Sequence, residues 1–246
     1  MTKQNWFRLV QNGNRNQIIL FPYAGGLGNS FEVFEKSQVF PKGTRVILLN
    51  MPGHGLNQEP LIDNIEDLLE QLYFKLVEKL DIPTVFFGYS MGGIVAHAMA
   101  KKLLPNKNIS ALIIAAANPP SVIHKQKISK RNIEKQVTHE VNKLLGKANI
   151  DIGNEFDSMF ESLYSFYFPL LYADTNIYFS IEDSDYKSDI PTTVLYGDSD
   201  PNVQQDTVKF WENYYPNLTI VEMEGDHMFI NNETNLKMFK NIFKSK

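Results

Sequence analysis

The segment around Ser90 restricts the possible folds more than any other. Val85-Phe86-Phe87 is a short run of large apolar side chains, the kind a fully buried strand carries, and Gly93 to Leu104 follows as a helical pattern. Between them lies Gly88-Tyr89-Ser90-Met91-Gly92, a G-x-S-x-G sequence. Small residues at its ends permit a sharp strand-to-helix turn that lifts the central hydroxyl above the edge of a sheet. The bare pattern arises by chance in about one chain in twelve of this length. Here the flanking strand and helix supply the context the turn needs, so the competing reading, an ordinary turn serine, fits less well.

The alternation of strand and helix extends in both directions. Trp6 to Val10 and Gln17 to Phe21 read as strands, and Asn12-Gly13 between them is a hairpin signal; Arg45 to Asn50 reads as a third. From Ile62, apolar residues at Ile65, Leu68, Leu69, Leu72, Tyr73, Leu76, Val77 and Leu80 follow the helical period, with Asp63 placed to cap the start. Ala111 to Ala117 is another buried strand. The pattern breaks after Pro119-Pro120 and resumes with a strand at Thr193 to Tyr196, a helix near Gln204 to Tyr214, a strand at Thr219 to Met223 and a closing helix near Glu233 to Phe243. The implied class is α/β, with a mostly parallel central sheet and helices on both faces. Residues 1–120 and 188–246 are expected to form its core, and residues 121–187 an inserted helical lid subdomain.

That insertion is uneven in charge and rich in rings. Residues 121–147 carry seven Lys or Arg against two Glu, and residues 148–190 carry nine Asp or Glu against one Lys. Nine aromatic residues fall between Phe156 and Phe179. They could pack a small core of their own, or cover and line a pocket.

Composition excludes several functions. At 246 residues the chain suits one α/β domain, and a net charge of −4 gives no field to attract nucleic acid. The absence of cysteine rules out disulfides, a thiol nucleophile and a thiolate zinc site. The start lacks the apolar stretch of a signal peptide, and the longest apolar run, Ala111 to Ala117, is far too short to cross a bilayer. A cytoplasmic chain without a membrane partner is therefore expected. Ala24-Gly25-Gly26 lacks both the Gly-Lys-Ser/Thr ending of a phosphate-binding loop and the spaced glycines of a dinucleotide site, and no cofactor is expected.

A serine hydroxyl is a poor nucleophile near neutral pH and needs a base that is itself oriented by a carboxylate. With Ser90 on the elbow, the fold's chain order is serine, acid, histidine. Of the five histidines, His227 in Glu224-Gly225-Asp226-His227 lies on a turn after a late strand. His97 reads as a packed helix residue and His124 and His139 as exposed, while His54 reads as a turn residue near the pocket. The acid belongs after the Thr193 to Tyr196 strand, where Asp198 and Asp200 compete. Asp200 is favoured because its spacing leaves room for the turn, and Asp226 is the weaker candidate beside His227. For an oxyanion hole, the N–H groups of Met91 and Ala24 are the candidates, the latter in Phe21-Pro22-Tyr23-Ala24-Gly25-Gly26.

Five segments carry a resemblance: Phe21-Pro-Tyr-Ala-Gly-Gly, Met51-Pro-Gly-His-Gly, Gly88-Tyr-Ser-Met-Gly-Gly, Gly197-Asp-Ser-Asp and Gly225-Asp-His-Met-Phe. In this order and at these separations the chain, from about Gln17 to its end, resembles the type II thioesterases that accompany nonribosomal peptide and polyketide synthetases. The resemblance implies an α/β-hydrolase fold with Ser90, Asp200 and His227 as a catalytic triad and the Ala24 and Met91 amides as oxyanion hole. It further implies a monomeric enzyme that hydrolyses acyl thioesters from the phosphopantetheine arm of an acyl or peptidyl carrier protein and so clears misprimed synthetases. A small-molecule carboxylesterase or lyase on the same fold, or a non-catalytic ligand receptor, is the alternative. The chain departs from the family's pattern at Tyr23, where histidine or phenylalanine is common, and at Tyr172, where arginine is usual.

Overall fold

A computed structural model describes residues 5–103, 108–126, 129–146 and 154–245. Leu104, Lys127 and the side chain of Phe156 lie outside the described residues. In chain order the elements are β1 (Phe7–Gln11), β2 (Asn16–Phe21), α1 (Glu32–Lys36), β3 (Thr44–Leu49), α2 (Ile65–Val77), β4 (Thr84–Tyr89), α3 (Met91–Leu103) and β5 (Ile109–Ala115). They continue with α4 (Pro120–Ile123), α5 (Lys130–Leu144), α6 (Asn154–Phe179), β6 (Thr192–Gly197), α7 (Gln205–Val208), β7 (Leu218–Met223) and α8 (Leu236–Lys244).

The seven strands form one sheet in the order β1-β3-β2-β4-β5-β6-β7. All neighbours are parallel except β1, which runs antiparallel to β3 with Phe7 opposite Leu49. The expected hairpin at Asn12-Gly13 is therefore absent, because β3 lies between β1 and β2. Burial explains the difference. Ile18 to Phe21 of β2 are fully enclosed and require neighbours on both edges, whereas β1 is only half-buried and suits an edge. The turn instead ties to the loop before β3, where the Asn14 and Arg15 N–H groups donate to the Gly43 carbonyl at 3.1 and 3.2 Å.

Because strand side chains alternate, each central strand feeds two cores. Phe86 and Leu112 point to the side covered by Leu68, Leu72 and Leu76 of α2 and Ile94 and Met99 of α3. Phe87 and Ile113 point to the other, where Phe34 of α1 meets Phe239 and Phe243 of α8 with ring centroids 4.7 and 5.8 Å away. The short helix α1 has no counterpart in the sequence reading. The region near Gln204 to Tyr214 is a short α7 followed by a 3-10 turn rather than one helix, which swings Trp211 inward so that its Nε1 donates to the Ala117 carbonyl at 3.0 Å. The closing helix likewise begins in a 3-10 turn at Glu233–Asn235, and α8 starts at Leu236.

The segment between β5 and β6 contains α4, α5 and α6. Ile133, Val137 and Val141 recur on one face of α5 and pack against Tyr164, Tyr167, Phe168 and Tyr172 of α6. Phe160, Tyr164, Phe168 and Tyr172 stack at four-residue intervals with centroids 6.1, 5.3 and 5.8 Å apart, and the last three of these rings fill the contact between α5 and α6. Further along, Leu170, Ala173, Asp174 and Ile177 of α6 are buried, and Ile177 joins the main core.

Helix α2 is capped by Asn64 and not by Asp63. Its side-chain oxygen accepts the N–H groups of Glu66 and Asp67 at 2.9 and 3.4 Å. The reason is position: a cap must be the extended residue just before the first helical one, and Asn64, at φ −136 and ψ 138, occupies that place. Asn64→Ala is expected to lower stability by about 1 kcal/mol in urea denaturation, with Asp63→Ala close to neutral.

Candidate active site

Parallel strands bring their carboxyl ends to one edge of the sheet, and in such sheets ligands bind there. The loops after β2, β3, β4, β6 and β7 hold Ala24, His54, Ser90, Asp200 and His227 respectively. Ser90 follows β4 in the left-handed region at φ 52, a strained conformation for a residue with a side chain. The structure around it enforces the turn. The Ser90 N–H donates to the Ala115 carbonyl at 2.8 Å, and a Cβ at Gly92 would lie 2.1 Å from the Phe21 carbonyl oxygen. Glycine is required there by contact with backbone.

Three of the sequence candidates form a continuous chain of hydrogen bonds. Ser90 Oγ lies 2.9 Å from His227 Nε2, and His227 Nδ1 lies 2.7 Å from Asp200 Oδ2. An ionised carboxylate only accepts, so it selects the Nδ1–H tautomer and leaves Nε2 with a lone pair toward the hydroxyl. Asp200 is buried, and its other oxygen accepts the N–H groups of Asn202 and Val203 at 2.9 and 3.2 Å. His227 keeps a third of its side chain exposed, which leaves the hydroxyl approachable from solvent. The competing aspartates serve their own turns: Asp198 Oδ1 accepts the Gly225 N–H at 3.0 Å and Asp226 Oδ1 the Met228 N–H at 2.8 Å, and both residues are exposed.

Tyr89, inside the elbow, has a further contact that sequence reasoning missed. Its hydroxyl donates to the His227 carbonyl at 2.8 Å and accepts the Ile230 N–H at 3.3 Å. Burial pushes this phenol well up, so it stays protonated and able to donate. The only signal in the sequence was an aromatic residue beside the serine, which reads equally well as core.

Met91 opens α3, where first-turn N–H groups lack a helical acceptor. Ala24 lies in a tight turn closed by the Gly26 N–H donating to the Tyr23 carbonyl at 2.9 Å. Its neighbour Gly25, at φ +71, donates its N–H to Asp174 Oδ2 of α6 at 2.7 Å. The same oxygen lies 3.0 Å from His54 Nε2, and His54 Nδ1 is 2.9 Å from the Pro52 carbonyl. His54 thus belongs to a turn, as expected, yet its side chain and that of Asp174 are each 1% exposed. Burial opposes its charge, but the hydrogen bond and charge of Asp174, with the Pro52 carbonyl, outweigh it and raise the imidazole above its ordinary pKa. Asp174 too was missed. Its trace in the sequence is an acid placed in the apolar stripe of Leu170, Ala173 and Ile177.

The remaining histidines fall where expected. His97 is enclosed by Tyr186, Trp211, Tyr214 and Tyr215, with Nδ1 2.7 Å from the Tyr215 hydroxyl. Burial, with the Lys101 charge, pushes its pKa down to about 3, so it is neutral. His124 and His139 are exposed on the insertion. Among the described residues no group of three His, Asp or Glu could hold a metal ion, and no helix is long and apolar enough to cross a membrane.

Comparison with known proteins identifies the family and the fold. A family model described as the thioesterase domain matches residues 16–245. The gramicidin S biosynthesis protein GrsT of Aneurinibacillus migulanus is 24% identical over 229 residues, covering 90% of this chain and 85% of its own. The probable anguibactin biosynthesis thioesterase AngT of Vibrio anguillarum is 23% identical over 233 residues, covering 89% and 88%. Among solved structures, YbtT, a type II thioesterase from the yersiniabactin pathway, superposes with a TM-score of 0.77 at 21% identity over 97% of both chains. The sheet with its helices is accordingly an α/β-hydrolase fold, and the chain belongs to the thioesterase domain family, whose enzymes hydrolyse thioesters.

Proposed function

We propose that the protein is a type II thioesterase that removes acyl groups from the phosphopantetheine arm of carrier proteins, with Ser90, His227 and Asp200 as its catalytic residues. The observation that carries the reading is the hydrogen-bonded chain from Ser90 Oγ through His227 to Asp200 in a member of the thioesterase family. As the Ser90 oxygen forms its bond to the thioester carbon, its proton passes to His227 Nε2. The carbonyl oxygen takes up negative charge between the Ala24 and Met91 N–H groups. The carbon–sulfur bond then breaks, and His227 returns the proton to the departing thiolate. A water molecule, deprotonated by the same nitrogen, attacks the acyl-serine ester; its collapse releases the acid and restores the Ser90 hydroxyl. Asp200 orients the imidazole and stabilises its charged form throughout. The scheme requires no cofactor.

The carrier partner is supported by the relatives, whose names place them in gramicidin S and anguibactin biosynthesis. In this reading α5 and α6 cover the acyl group, and the exposed Lys125, Lys130 and Arg131 near the start of the insertion face an acidic carrier. Lys127, read with them as part of one basic stretch, lies outside the described residues.

Comparing hydrolysis of an acyl-carrier protein, an acyl-CoA and a simple ester tests the substrate class. A preference for the carrier is expected, and a preference for the ester would identify a carboxylesterase instead. Ser90→Ala should abolish turnover of all three while leaving the thermal transition unchanged, and near-native rates would remove Ser90 from the mechanism. Asp200→Asn should lower kcat by about four orders of magnitude, as when a triad histidine is left in the wrong tautomer. Asp198→Asn should have little effect, and the reverse ranking would reassign the acid. Reversing Lys130 and Arg131 to Glu should lower kcat/KM for the carrier substrate and flatten its salt dependence, leaving a small thioester unaffected. Equal losses on both substrates would instead indicate damage to the insertion.

A further inference from the structure

The triad leaves unused the buried pair of His54 and Asp174, which joins three segments distant in sequence: the loop after β2, the loop after β3, and α6. The proton arrangement can be worked out from the partners. The Pro52 carbonyl only accepts, so His54 Nδ1 carries a hydrogen. One further proton then lies between His54 Nε2 and Asp174 Oδ2, which also receives the Gly25 N–H. Donation from Gly25 favours the carboxylate, and the hydrogen bond and charge of that carboxylate raise the His54 pKa, so both contacts favour the charged pair over the neutral one. Asp174 Oδ1 is buried and has no protein partner among the described residues. All hydrogen bonding of this carboxylate is thus concentrated on the one oxygen that faces Gly25 and His54.

That concentration has a geometric result. In a trans peptide the C=O and N–H point in opposite directions. The Gly26 N–H fixes the Tyr23 carbonyl, and with it the peptide plane that contains the Ala24 N–H. Asp174 fixes the Gly25 N–H, and with it the plane on the other side of the Ala24 Cα. Leu171, one turn earlier on α6, sits over the same glycine, where a Cβ would meet its Cδ2 at 2.9 Å.

We infer that Asp174 is a positioning residue for the oxyanion loop: its carboxylate, neutralised by His54, holds the Gly25 N–H and so aims the Ala24 N–H at the reacting carbonyl oxygen. The inference rests on the hydrolase reading above, since it needs an oxyanion to be bound. It assigns the C-terminal part of α6 to the machinery of the reaction and not to the cover.

The test combines kinetics with a probe of the oxyanion hole. An alkylboronic acid, which forms a charged tetrahedral adduct with an active-site serine, reports on that hole, whereas the matching alkyl carboxylate reports on the acyl pocket. Removing one oxyanion donor lowers kcat by about 10²- to 10³-fold, so Asp174→Ala should lower both kcat and boronate affinity by about 10²-fold. Asp174→Asn, whose neutral oxygen can still accept the Gly25 N–H but no longer offers His54 a negative charge, should lie between at about 10-fold. KM and carboxylate affinity should stay within about 3-fold in both variants, because only binding of the tetrahedral state is altered. Removing one partner of a buried pair is strongly destabilising, so Asp174→Asn keeps the test informative if Asp174→Ala does not fold. A folded Asp174→Asn with wild-type boronate affinity would overturn the inference, as would losses confined to KM and carboxylate binding. Ser90→Ala assayed alongside separates the two claims: if it too stays active, the hydrolase reading has failed, and if it is inactive while the Asp174 variants are normal, only the positioning role has.

Discussion

The site depends on one close approach, the backbone of Gly92 against the carbonyl of Phe21. No side chain fits between them, so α3 can start directly beside the end of β2. That adjacency brings the loop carrying Ala24 next to the helix N-terminus carrying Met91, and holds Ser90 between them in a conformation it would not adopt in isolation. The local strain is borne by the surrounding core, where Phe86 and Phe87 on either face of β4 are fully enclosed.

The fold was legible in the sequence wherever burial imposed a pattern. The central strands are nearly continuous apolar runs and α2 has a clean apolar face, and these were found within a few residues. What failed was pairing and termini. The Asn12-Gly13 signal describes a turn correctly but cannot say which strand β1 will pair with, because that choice is made by the need of β2 for two neighbours. Similarly, Asp63 and Asn64 both carry side chains able to cap α2, and only the extended backbone of Asn64 decides between them.

Ser90, Asp200 and His227 were legible for a different reason: each follows a strand at the same edge of the sheet, so chain order alone places them together. Asp174 and Tyr89 were not, since they act through backbone groups more than a hundred residues away in the sequence. A carboxylate that binds an amide leaves no spacing motif. Its only mark is a charged residue on an otherwise apolar helical stripe.

Pro169 lies within α6 and has no N–H to give to the preceding turn, so the helix is locally weakened there. Before it, Tyr164 and Phe168 of the ring stack meet α5, and after it Asp174 and Ile177 are anchored in the body of the protein. The two halves of this helix are consequently held by different parts of the molecule. A substitution before the proline disturbs the packing of α6 on α5, whereas one at Asp174 or Ile177 reaches the turn at Gly25 and the main core.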